Sequence, residues 1–462
     1  MTRRTIVAIE PDANGSGLTA RLLKAEAQVQ GGMVALPLPW DSATSPALDG
    51  PDNVKAYGCR LRDALMVNPA VGQALTGIFQ APAGDARTLC FDIVSTAAER
   101  IRWEALCDLN DKFVALTNSC RLGRIADDIT RQDTGLRLFT PPLRVAAFMS
   151  AAQRDATPEW SALASAIDAA RLAGLDITAR IYLGQQTALD AIAPNLQAGQ
   201  HPGIQVLPIP PDGLRIEQAL EEWRPHIVHF FCHGATGFGS PYLELATIVE
   251  HDQQADAGTI IVELDTLVNS VALRDVWFMV LNCCEGATPP PVGEERLNSM
   301  AFTIVAKGCV PAVIGMQEAV PAHDANRFCG TLYPELFKAL AVALKDAAPA
   351  HPVAVDLTAA IGPARRSVQT LNAETPARFR NWTLPVLYVQ REQFQVHLAA
   401  GLEESVADQF RQRVDTIASM LRQLPPSTPQ SVRLQLLALL DKAPLVPPAL
   451  RPDLFGNFAP LQ

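Results

Sequence analysis

Two short segments carry the residue types that could do chemistry. HFFCHGA (229–235) ends an apolar run on His233 and Gly234, and VLNCCEGA (280–287) ends another on Cys283 and Cys284. A thiol attacks a carbonyl efficiently only as the thiolate, and a free pKa of about 8.5 leaves it mostly protonated at neutral pH. An imidazole within reach can take that proton and hold it for a leaving amine, while backbone N–H groups stabilise the oxyanion formed on the substrate. His233 is thus placed to deprotonate one of the two cysteines. Gly234 has no Cβ to block approach to its N–H, so the expected oxyanion hole is the N–H groups of Gly234 and Cys284.

These segments must be positioned by strands. From about residue 143 apolar runs alternate with helical periodicity: LRVAAFMSA, then EWSALASAIDAARLA, ITARIYLG, TALDAIAPNLQ, GIQVLPIP and GLRIEQALEEW. HIVHFFCHG, VWFMVLNCC, VPAVIGMQ and TLPVLYVQ follow as further strands. The alternation predicts an α/β fold, a mostly parallel sheet with crossover helices on both faces. In such sheets ligands gather outside the carboxyl ends of the strands, which is where His233 and Cys284 fall. Residues 1–140 are less regular and read as an N-terminal α+β subdomain, 141–395 as the catalytic domain. In 396–462, Val406, Phe410, Val414, Ile417, Leu421 and Leu424 form one helical stripe, and Thr428 with Pro429 could start a second helix, so a C-terminal helical hairpin and tail are expected.

The chain has 462 residues, 48% hydrophobic and 19% charged, with a formal charge of −10. That balance opposes nucleic-acid or anionic-membrane binding, which draws on clustered Lys and Arg. No segment approaches the roughly 18 apolar residues of a membrane helix, and the N-terminal MTRRTIVAIEPDANG has too short an apolar stretch for a secretory signal, so a cytoplasmic protein is expected. Nine cysteines without C-x-x-C spacing point to neither a disulfide framework nor a zinc ribbon. His229 and His233 are spaced like a zinc-binding helix pair, but in a strand they stand roughly 13 Å apart. No metal and no cofactor is expected. A lone cysteine ending an apolar strand is ordinarily core, and it is the combination with histidine and glycine that gives Cys284 a sharper reading. GFGSP (237–241) lacks the lysine and spacing of a phosphate loop and reads as a turn.

HFFCHG, LNCCEGA, GCVPAVIGMQ and FCGTLYPELFKALA, in that order, resemble the CHAT family of caspase-like cysteine peptidases. IRWEALCD (101–108) is similar to the family's P-W-E-x-L segment, Gly123 and Arg124 to its next landmark, and NWTLPVLYV (381–389) to its closing strand. The resemblance covers roughly residues 50–395 and implies a caspase-like sheet. It places the general acid/base on His233 rather than His229, and the nucleophile on Cys284 rather than Cys283, with the interval of about fifty residues known in caspases. Cys232 and Cys283 stand where the family has small residues. In some relatives that cut after Arg or Lys the pocket carboxylate stands two positions before the nucleophile, and that position here is Asn282, so a neutral or apolar residue before the scissile bond is expected. Glu285, Glu318 and Asp324 are the acidic candidates for the substrate pocket that would reverse this.

The implied activity is cleavage of a dedicated protein substrate, such as a neighbouring-gene product, in a bacterial antiphage-defence or regulated-proteolysis pathway; a gasdermin or a regulatory factor are examples. A separate activator is expected to engage the C-terminal helices or the N-terminal subdomain. The alternative is a non-catalytic module that keeps the fold and binds a peptide in the groove.

Overall fold

The computed structural model describes residues 4–398 except 16, 26–33, 42–45, 47, 49–52, 83–84, 127–135, 238–239, 284–285, 289–297, 346–351, 372–375 and 377–378. The strands are β1 (Arg4–Pro11), β2 (Leu18–Lys24), β3 (Leu36–Leu38), β4 (Arg87–Ile93), β5 (Cys120–Ile125), β6 (Leu136–Phe139), β7 (Leu143–Met149), β8 (Ile177–Leu183) and β9 (Ile204–Pro208). They continue with β10 (Ile227–Gly237), β11 (Ser240–Leu245), β12 (Ile260–Glu263), β13 (Phe278–Cys283), β14 (Ala312–Met316), β15 (Val353–Ala354), β16 (Pro385–Val389) and β17 (Gln395–Leu398). The helices begin with α1 (Asn53–Met66), α2 (Pro69–Phe79), α3 (Thr96–Glu99), α4 (Thr157–Leu172), α5 (Gln186–Gln197) and α6 (Gly213–Trp223). After them come α7 (Ile248–Asp252), α8 (Leu264–Asn269), α9 (Met300–Ala306), α10 (Ala322–Lys345) and α11 (Ile361–Leu371).

One large sheet runs β3-β2-β1-β4-β5-β16-β14-β13-β10-β7-β8-β9, with β11 and β12 branching from β10. The half from β14 to β9 is parallel throughout. Its strands are the continuous apolar runs of the sequence, and β7, β10, β13 and β14 are buried nearly throughout their parallel pairing, as expected where helices cover both faces. The expected mostly parallel α/β sheet is therefore observed. The strands of the first 125 residues do not form a sheet of their own. They extend the same one, joined where β16 lies parallel to β5 and pairs Tyr388 with Arg124 and Val389 with Ile125. The C-terminal helical hairpin expected beyond residue 398 lies outside the described residues. Among those residues, no helix is long and apolar enough to cross a membrane.

The junction is tied by buried charge. Arg124, at the end of β5, is fully buried and grips Glu104 with Nε (3.1 Å) and Nη2 (2.6 Å), while Nη1 donates to the Glu99 carbonyl (2.7 Å). Arg365 of α11 adds a second guanidinium 3.6 Å from Glu104. Burial alone would raise the Glu104 pKa, but Arg124 and Arg365 outweigh it and hold the carboxyl below its usual value. Burial in turn lowers the Arg365 pKa to about 10. Arg124 is thus satisfied on every side, as a desolvated guanidinium has to be.

Because its folded-state pKa is depressed, Glu104 stabilises the fold above its unfolded-state pKa and loses that contribution as pH falls through the folded value. Glu104→Gln should cost about 3–5 kcal/mol at neutral pH, since two buried guanidinium groups lose their countercharge. The gap to wild type should close on acidification. Urea unfolding of both chains at neutral and acid pH measures this, and a variant as stable as wild type at neutral pH would contradict it.

Candidate active site

β10 belongs to two pairings. Residues 227–232 lie parallel between β7 and β13, and the last partnered pair on the β13 side is Cys232 with Cys283. At the next residue the strand turns to antiparallel pairing with β11, where His233 stands opposite Glu244 and Gly234 opposite Leu243. His233 therefore sits at the point where the chain leaves the parallel sheet, at its carboxyl rim. In sequence Cys284 follows Cys283 as His233 follows Cys232, so the register brings both chain segments to the same rim. Cys284 and Glu285 themselves lie outside the described residues. Of GFGSP, Gly237 ends β10 and pairs with Ser240 at the start of β11, and residues 238 and 239 lie outside the described residues.

The imidazole of His233 is oriented by the main chain. Its Nε2 lies 3.0 Å from the carbonyl oxygen of Ala152, just past the end of β7. A carbonyl only accepts, so Nε2 carries the proton and Nδ1 is the basic nitrogen of the neutral ring. His233 is partly exposed. The loop supplying Ala152 is itself fixed: the Ser150 N–H donates to the Phe231 carbonyl (2.8 Å) and its hydroxyl donates to the Ala246 carbonyl. A Cβ on Gly184 would fall 1.9 Å from Ser150 Oγ, so glycine is required there.

A second histidine, His251 of α7, meets the same corner and places its Nε2 3.1 Å from Ser150 Oγ. Burial lowers its pKa, and repulsion from His233 adds to the lowering against the pull of Asp252 and Glu250. From sequence it reads as a solvent-facing loop residue. The contact comes from the β11–β12 insertion folding back, which no periodicity signals.

The substrate-pocket candidates divide. Asn282 is buried and directed into the space between sheet and helices, where its Nδ2 donates to Glu159 Oε1 (2.8 Å). Asp324 is buried in the first turn of α10 and accepts from Asn381 Nδ2 (2.6 Å). Glu318, two residues past β14, is partly exposed and held between Arg102 and Arg380, the latter at 2.9 Å. Of these three, Glu318 alone reaches solvent beside the rim.

Residues 286–288 are seated on β14 and the residue after it. Ala287 N–H donates to the Met316 carbonyl (2.8 Å), Thr288 Oγ1 donates to the Gln317 carbonyl (2.6 Å), and Ala301 N–H donates to the Gly286 carbonyl (3.0 Å). The seat exists because residue 315 has no side chain: a Cβ there would stand 2.8 Å from the backbone of Gly286 and 2.9 Å from Ala287 Cβ. Gly315→Ala should push this loop off β14 at a cost of about 1–3 kcal/mol. It should also slow alkylation of Cys284 by up to about a hundredfold, the scale of a 1 Å misplacement. Thermal melting with timed iodoacetamide labelling measures both, and unchanged labelling would show that the loop does not position Cys284.

A sequence model described as the CHAT domain matches residues 55–350, well over half of the chain. No curated protein matches it significantly. With that match spanning both paired strand ends and the Glu104–Arg124 junction, the chain belongs to the CHAT domain family of caspase-like cysteine peptidases.

Proposed function

We propose that this chain is a cysteine endopeptidase in which Cys284 is the nucleophile and His233 the general acid/base. The observation that carries the reading is the hydrogen bond from His233 Nε2 to the Ala152 carbonyl, at the residue where β10 leaves β13. It selects the tautomer whose Nδ1 can accept a thiol proton, and it does so without a third side chain. The thiolate adds to the scissile carbonyl, and the N–H groups of Gly234 and Cys284 receive the oxyanion. The C–N bond then breaks as the imidazolium returns its proton to the leaving amine. Water, deprotonated by the same imidazole, hydrolyses the thioester and regenerates the thiol.

Glu318 is already neutralised by Arg102 and Arg380, so it offers little to a basic substrate side chain. This supports a neutral or apolar residue before the scissile bond. The substrate class is a dedicated protein in a regulated or defence pathway of a bacterial cytoplasm, with cleavage triggered by a separate activator.

The test is labelling of the full chain with a broad peptidyl acyloxymethyl ketone, the adduct being located by peptide mass spectrometry in wild type and in His233→Ala. One adduct on Cys284, slowed at least about a hundredfold in His233→Ala, is expected, since a general base contributes on that scale. Labelling spread over other cysteines and indifferent to His233 would favour the non-catalytic peptide-binding module.

A further inference from the structure

Four residues before His233 in the same strand, His229 is fully buried, and the side chains around it come from two helices. Glu159 in the first turn of α4 brings Oε1 to 3.2 Å from His229 Nε2, and both residues are inaccessible to solvent. Cys329 of α10 completes the group: the Glu159 oxygen, the His229 nitrogen and the Cys329 sulfur all lie within 4.8 Å of one another. Among the described residues, neither Glu159 Oε2 nor His229 Nε2 has a hydrogen-bond partner. Orphan polar atoms in a dry interior are costly, and a cation shared with the Cys329 sulfur would satisfy both.

We propose that Glu159, His229 and Cys329 bind a zinc-type divalent cation that joins β10 to α4 and α10. The donor set is the N, O and S mixture that zinc takes. Ligands at zinc's bond lengths and a tetrahedral angle stand about 3.3–3.8 Å apart, and the 3.2 Å between Glu159 and His229 is close to such an edge. The surrounding shell is also of the expected kind. His229 Nδ1 lies 2.7 Å from the Tyr333 hydroxyl, which can accept its proton and leave Nε2 for the metal. Asn282 Nδ2 donates to Glu159 Oε1 at 2.8 Å and to Cys329 Sγ at 3.7 Å, contacts that steady a carboxylate and a thiolate. Charge closes as well: one carboxylate, one thiolate and a dication sum to zero, with the thiol proton released on binding.

Without the cation, burial and the neighbouring Glu159 push the Cys329 thiol well above its usual pKa, so the alternative is a metal-free cluster with Cys329 protonated. The site differs from the pairing of His229 with His233, which the length of the strand forbids. It stands whether or not Cys284 is a nucleophile.

The test uses the full chain produced in cobalt-supplemented medium and purified without chelators, with metal content and the thiolate-to-cobalt charge-transfer band as readouts. One metal per chain with that band is expected in wild type and in Cys284→Ala, falling to about a tenth or less in Cys329→Ser. A metal-free wild type overturns the proposal before any variant is made. A metal indifferent to Cys329→Ser, or one that leaves with Cys284→Ala, overturns it too.

Discussion

The register of β10 against β13 is the constraint on which the site rests. Parallel pairing holds Ile227 to Phe278 and Cys232 to Cys283 without a slip between them. A shift of one residue would turn every side chain to the other face, forcing Phe230 and Leu281 from the packing that buries them completely into the differently shaped packing on the opposite face. The register is thus fixed by hydrophobic burial along the whole strand, and the polar residues at its end inherit that precision. His233 needs no packing of its own for this. Only its ring plane has to be set, and the Ala152 carbonyl, reached through the neighbouring strand β7, sets it.

Neighbouring strands also explain why landmarks far apart in the chain belong together. Glu104 faces Arg124, which is bound as well by Gln317 Oε1 at 3.2 Å, from just past the end of β14. Gln317 Nε2 donates to the Glu99 carbonyl at 3.2 Å, and the Glu99 carboxylate receives Ser299 at 2.5 Å and Tyr388 at 2.8 Å. One connected polar layer therefore runs from α3 and the turn that follows it, through the segment before α9, to β16. Gln317, just past the carboxyl end of β14, belongs to this layer, so residues 99–124 help to hold that strand end.

What was legible in the sequence followed from periodicity and from strand ends. The apolar runs at 143–149, 227–233, 278–283 and 312–316 are strands because nothing else buries both faces of so short a segment, and the rim position of His233 follows from where its run stops. Contacts between single polar groups on different elements were not legible. Glu159 reads as an ordinary acidic first-turn residue of an amphipathic helix, yet it is fully buried against His229. His251 looks like a loop residue until the β11–β12 insertion folds it onto Ser150. Asn282 and Asp324 are pocket candidates through the family resemblance, which does not say whether a side chain at a strand end or in a helix's first turn points outward or into the layer beneath.

Glu104 and Glu159 show how differently the same side chain can be accommodated. Both are inaccessible to solvent. Glu104 meets two guanidinium groups, and the electrostatic gain outweighs the desolvation of its charge. Glu159 has no guanidinium or ammonium partner among the described residues. Its neighbours are an amide, a thiol and an imidazole whose nearer nitrogen is out of line for a hydrogen bond. An amide and a thiol give only dipoles, which are too weak to replace the hydration of a full charge in so dry a place. The two sites lie in one molecule, where evolution had arginine at hand for the first. That the second instead meets an imidazole nitrogen and a sulfur, which with its own oxygen make a mixed metal-ligand set, makes a cation the arrangement that satisfies the charge and both orphan atoms together.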